Sequence, residues 1–260
     1  MVDQNEPIIC RFYRVIPGAP EPQRADRSAD GTLPMIAYRY CEAIACASAF
    51  GWYLFPPLNF SLVWDGREIG WTYEGADDWY PLRNTLPPNF EGAFAKIAPE
   101  GLADLAPSFL AQGKLPGVVQ IWSGYLASTA PGWALLSRGV ANVHKTRPFE
   151  DHEALVDTPI FENYEGIVET NSWFGPLFTN VRLMRTNSPV DFHVHRPFFQ
   201  VQPLLRECYR EPSFDVRDAA DMTSGDWLRF AATTGRNTEH MRAPGHYAVE
   251  TRKRLRSEDR

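Results

Sequence analysis

Cysteine is scarce: Cys10, Cys41, Cys46 and Cys208 are the four in 260 residues, and no Cys-x-x-Cys pair occurs. A disulfide scaffold and a zinc ribbon are thereby excluded, and reduced thiols are expected. Cys41 and Cys46 lie five apart, which at helical pitch puts them on different faces and argues against a shared metal. Long apolar runs are missing too, since no stretch reaches the roughly 18 residues of a membrane span. Residues 1–7 carry neither a basic leader nor an apolar secretory segment, so the expectation is a cytoplasmic protein. Positive charge is not in excess: 26 basic against 32 acidic residues leave a net charge of -6. Neither nucleic acid nor a membrane is an expected partner. The basic run at 252–256 adjoins Glu258 and Asp259 and reads as a solvated helix or tail. Also absent are a Gly-x-Ser-x-Gly elbow, a phosphate-binding loop, a dinucleotide glycine fingerprint and a His-Glu-x-x-His helix, which removes common hydrolases, nucleotide enzymes and zinc proteases.

What is present is aromatic and proline-rich: 8 Trp, 10 Tyr, 16 Phe and 22 Pro, with 44% hydrophobic residues. Prolines interrupt long helices, so the composition predicts short strands around a sizeable core. Strands are predicted at 8–15, 52–55, 60–64, 68–73, 118–127, 133–139, 164–170, 177–185, 190–195 and 198–203 from period-two alternation, and Asp65-Gly66 marks a hairpin. The spacing of Ile36, Tyr40, Ile44 and Ala47 predicts one helix over 35–50, stopped by Gly51. Residues 76–117 read as an irregular excursion, and 218–260 as a helical tail. The short connections of the second half predict neighbouring strands paired as antiparallel hairpins or meanders. The expected fold is α+β, mainly β: a single domain over 1–260, built as an antiparallel sandwich or jelly-roll-like barrel.

The strings Ala49-Phe50-Gly51-Trp52, Pro56-Pro57-Leu58-Asn59-Phe60, Val63-Trp64-Asp65-Gly66, Ala130-Pro131-Gly132-Trp133 and Tyr164-Glu165-Gly166-Ile167-Val168-Glu169-Thr170 occur in this order. Together they resemble an uncharacterised bacterial family, domain of unknown function 6065, over roughly 38–203. The resemblance implies a bacterial origin and a single domain and transfers no catalytic residue. It does not extend to His193-Val194-His195.

Those histidines are the sharpest chemical feature. Two residues apart on a strand they would point the same way and could share a divalent transition metal, with Glu165 or Glu169 completing a cupin-like site. The same pattern is also that of a half-exposed strand with Phe192 and Val194 inward. Glu165 and Glu169 are too far apart on one strand, about 13 Å, to act as a catalytic carboxylate pair. Glu169 with Arg182 could instead orient a ligand carboxylate. If the sheet curls around a cavity, Gln120, Trp122, Asn180, Gln200 and Gln202 would line it; a surface reading of the same alternation stands beside that one. Trp52, Trp64, Trp71, Trp122, Trp133 and Trp173 could stack on a planar ligand or fill the core.

Two functions follow. The first is an enzyme of a bacterial specialised-metabolite pathway, acting on a small molecule in a β-rich pocket with Glu169, Arg182, His193 and His195. The second is a noncatalytic module binding a small molecule or peptide. Oligomeric state stays open, a homodimer included.

Overall fold

A computed structural model describes residues 8–83, 85–88, 90–143, 160–210 and 214–234, with the single positions 249, 253 and 257. In chain order the strands are β1 (Cys10–Arg14), β2 (Gln23–Arg24), β3 (Trp52–Leu54), β4 (Phe60–Trp64), β5 (Ile69–Tyr73), β6 (Tyr80–Pro81), β7 (Leu110–Gln112), β8 (Val118–Thr129), β9 (Trp133–Arg138), β10 (Phe161–Asn163), β11 (Gly166–Val168), β12 (Gly175–Leu183), β13 (Val190–Phe192) and β14 (Phe199–Leu205). The helices are α1 (Met35–Tyr40), α2 (Glu42–Ala49), α3 (Phe90–Ile97), α4 (Glu207–Arg210) and α5 (Ser224–Thr234).

These strands form three antiparallel sheets: β1-β8-β12-β10 with β7 also on β8, then β11-β9-β14-β3-β2, then β13-β4-β5-β6. The architecture is mainly β and sandwich-like, not a closed barrel. Antiparallel pairing is as expected, but the simple meander is corrected. β8 pairs with β12 and β1, while β9 pairs with β14 and β11. The short connection at 130–132 therefore carries the chain from one sheet to another and closes no hairpin. The Asp65-Gly66 hairpin does form, with four loop residues between Trp64 and Ile69. Its Asp65 carboxylate accepts the Glu68 and Arg67 N–H groups, each at 2.7 Å, and those bonds hold its pKa below the usual carboxylate range.

Alternation along the strands builds the core. Val119 and Ile121 of β8, Val181 and Leu183 of β12, Leu135 of β9, Phe199 and Val201 of β14, and Phe60 and Leu62 of β4 share one buried cluster. A smaller cluster lies on the other face of the first sheet, where Phe90 of α3 covers Trp122 at a ring separation of 5.6 Å. The excursion at 76–117 thus lays a helix over that face and adds β7 to the edge of β8.

The helix expected over 35–50 is broken. Cys41 is extended (φ -114, ψ 98), so α1 ends there and α2 starts afresh at Glu42. Gly51 stops α2 as predicted, and for a second reason besides its positive φ of 98: a Cβ there would stand 2.0 Å from the Val201 carbonyl oxygen of β14. Neither relief of φ nor a side-chain shift removes a clash with backbone. Gly51→Ala is expected to cost about 3 kcal/mol or more, read as a lowered midpoint in urea denaturation.

Candidate functional site

The register places Gln120 opposite Asn180 and Trp122 opposite Phe178. Since Val119, Ile121, Val181 and Leu183 face the core, Gln120, Trp122, Asn180 and Arg182 share the outer face of the first sheet. Gln120 and Asn180 are half-buried and Arg182 is exposed. Trp122 is fully buried and donates its indole N–H to the Tyr125 carbonyl at 2.9 Å, so it is core and stacks on no ligand. Gln200 and Gln202 also point away from the core, but on the outer face of the second sheet, because Phe199 and Val201 point inward. Packed sheets are about 10 Å apart, so the two sets stand on opposite sides of the sandwich. The single cavity expected from these five residues is corrected on that ground.

Gln200 has a structural task. Its amide donates to the carbonyls of Ser48 (3.1 Å) and Phe50 (2.6 Å), and its side-chain oxygen accepts the Ala141 N–H at 2.9 Å. One fully buried side chain thus joins β14, the end of α2 and the segment after β9.

The metal expectation is corrected too. β13 ends at Phe192, so His193 and His195 lie in the turn that follows, exposed and not on one strand face. Among the described residues no group of three or more His, Cys, Asp or Glu side chains could hold a metal ion. Glu165 pairs with Arg138 at 3.2 Å. Glu169 does not meet Arg182; it is clamped by Arg206, by Arg210 at 3.3 Å and by the Tyr209 hydroxyl at 3.3 Å. Desolvation pushes the Glu169 carboxyl up, but Arg206, Arg210 and Tyr209 outweigh it and hold it below the usual range. That is the setting of a carboxylate fixed as an anion at the junction of β14 and α4, unsuited to proton transfer near neutrality.

A concave feature lies elsewhere, between the segment from Ala25 to Ser28 and the helix pair α1–α2. Ala25, Asp26, Arg27 and Ser28 form one wall; Met35, Tyr38 and Arg39 of α1, with Ala49 of α2, form the other. The volume is about 750 Å³. A tight loop shapes the first wall. Asp26 accepts hydrogen bonds from the Ser28 N–H (2.7 Å), the Ser28 hydroxyl (2.5 Å) and the Asp30 N–H (3.2 Å), and Ala29, Asp30 and Gly31 all have positive φ (50, 55 and 75). Burial, and next the charge of Asp26, push the Asp30 carboxyl up against the pull of Arg196. Behind the wall, Glu42 is only 3% exposed and takes two 2.8 Å hydrogen bonds from the Arg27 guanidinium. The Cys46 thiol donates to the same carboxylate at 3.3 Å, and burial followed by Glu42 pushes its pKa up. The break at Cys41 sets Glu42 at the first turn of α2, where it meets Arg27.

The sequence reading missed this pair. Its one signal was a lone acid in the alanine-rich string Cys41-Glu42-Ala43-Ile44-Ala45-Cys46. All four cysteines are free thiols, and burial pushes Cys10 to about 12. Among the described residues no helix is long and apolar enough to cross a membrane. No protein-family model matches the chain, and no curated protein matches it.

Two outcomes test these assignments. Gln200→Leu leaves three backbone groups without this partner, two of them in buried hydrogen bonds, and is expected to cost about 2–4 kcal/mol, lowering Tm by roughly 5–10 °C in a thermal melt. Glu169 has a folded-state pKa below its unfolded value, so its stabilisation is full above the ordinary carboxylate range and is lost as pH falls through it. The Tm gap between the protein and Glu169→Gln, measured from neutral pH to about pH 3, is therefore expected to close as the pH drops below about 4.

Proposed function

We propose that the chain is a noncatalytic small-molecule-binding module whose ligand sits in the cleft between the Ala25–Ser28 wall and α1. The observation that carries the reading is the cleft itself: about 750 Å³, inside the range of roughly 300–1,000 Å³ typical of ligand pockets. Its walls combine apolar surface from Ala25, Met35 and Ala49 with the polar groups of Arg27, Tyr38 and Arg39, the mixture that gives a ligand both burial and orientation.

The arrangement of the other candidate residues favours binding over catalysis. An enzyme built on Glu169, Arg182, His193 and His195 needs them around one reacting point. Here Glu169 is engaged by arginines beside α4, Arg182 stands on the first sheet, and the histidines follow β13 in the third. In the cleft, Arg27 is fixed as a cation by Glu42, and the Ser28 hydroxyl that donates to Asp26 is tied into the turn of its own loop by accepting the Gly31 N–H.

Native mass spectrometry of the purified chain, set against Ala49→Trp, tests the reading. The indole fills the cleft from its α2 side. A bound small molecule is expected on the protein and is expected to be lost from Ala49→Trp, with the melting curve of the variant intact. A molecule retained equally by both, or none on either together with no stabilisation by any member of a metabolite library, overturns the cleft as a ligand site.

A further inference from the structure

We infer that the ligand of the cleft is an uncharged, mainly apolar molecule of one or two rings that brings a carbonyl or hydroxyl oxygen to the Tyr38 phenol; the inference rests on the binding reading above and supplies its chemistry. Every charge at the cleft is already engaged inside the protein. Arg27 gives two 2.8 Å hydrogen bonds to Glu42, which is almost fully buried. Three of the roughly four lone-pair sites of a carboxylate are taken in Asp26 by donors of its own loop: the Ser28 N–H, the Ser28 hydroxyl and the Asp30 N–H. The Ser28 hydroxyl, having donated its proton to Asp26, accepts the Gly31 N–H at 3.0 Å. Arg39 is engaged as well, its guanidinium lying over the Tyr40 ring at 5.9 Å from the centroid. Asp26 and Glu42 set against Arg27 and Arg39 leave the cleft with no net charge.

A charged ligand would therefore have to compete for its partner. An anion that drew Arg27 away would strand Glu42 as a buried charge, the costliest way to open such a pair. A cation that drew Asp26 away would undo the hydrogen bonds that fold the loop through its left-handed residues Ala29, Asp30 and Gly31. Either ion would also give up its own hydration. An uncharged body disturbs none of these contacts: Ala25, Met35 and Ala49 offer it hydrocarbon, and a cavity of about 750 Å³ accepts a fused bicycle. One polar group of the lining is unspent, since no hydrogen bond engages the Tyr38 hydroxyl among the described residues. A phenol both donates and accepts, so it can orient a carbonyl or hydroxyl oxygen without any charge on the ligand.

Isothermal titration calorimetry on the full chain at neutral pH, with 2-acetylnaphthalene, 2-naphthoate and 2-naphthylmethylamine, holds one apolar body constant and changes the charge. The ketone is expected to bind at least about tenfold tighter than either ion, with an affinity that holds steady as salt is added. Tyr38→Phe is expected to weaken the ketone about fivefold and to leave Tm unchanged, because the hydroxyl it removes bonds to nothing in the described fold; Ala49→Trp is expected to abolish ketone binding. An ion that equals the ketone overturns the uncharged class while leaving the cleft as a site. A ketone affinity indifferent to Tyr38→Phe, ketone binding that survives Ala49→Trp, or no binding of any of the three probes overturns the proposal; the mass-spectrometric comparison of the protein with Ala49→Trp judges the cleft separately.

Discussion

The fold depends on how closely α2 can be brought against β14. Gly51 passes where even a methyl group would meet the Val201 carbonyl, and Gln200 then ties that strand to the last turn of α2 and to the chain beyond β9. Backbone proximity and a buried amide act together here. The missing side chain permits the approach, and the three hydrogen bonds turn it into one defined position. Because Ala49 is held between Ser48 and Phe50, both of which bond to Gln200, one wall of the cleft inherits the rigidity of the sheet.

The other wall is held by charge. Glu42 is nearly withdrawn from water and would be costly without Arg27, so the loop that carries Arg27 cannot move away from α2 without stranding an anion. That loop is also folded on itself through Asp26 and Ser28. The cleft is therefore bounded by two elements that are each fixed from behind, which lowers the ordering cost a ligand would otherwise meet on binding. A polar residue in a core can thus serve a site without lining it.

The strands were legible from sequence because alternation of apolar and polar residues is a local property. β8, β12 and β14 all lie where the period of two placed them. β2 and β10, at two and three residues, are too short to show a period at all. Which sheet a strand joins was not legible, since the connection at 130–132 has the composition of a hairpin turn and instead crosses the sandwich. That single ambiguity put Gln200 and Gln202 beside Gln120 on paper, although they face opposite ways. The same limit applies to His193 and His195, whose shared face required β13 to run three residues longer than it does. Arg27 and Glu42 meet through three left-handed residues and a broken helix, and neither follows from spacing along the chain.

Each of the three sheets ends on short strands: β1 and β10 in the first, β11 and β2 in the second, β13 and β6 in the third, none longer than five residues. A row of unpaired N–H and C=O groups is a template on which another chain can add itself, and the hazard grows with the length of the row. Here Pro81 removes a donor from β6, and Arg11 and Arg14 place charge along β1. A chain with this much aromatic and β-forming sequence carries a standing risk of polymerising edge to edge. Keeping β8, the longest of the described strands, in the interior of a sheet and the margins brief lets the chain hold a large β core without offering a long template for fibres.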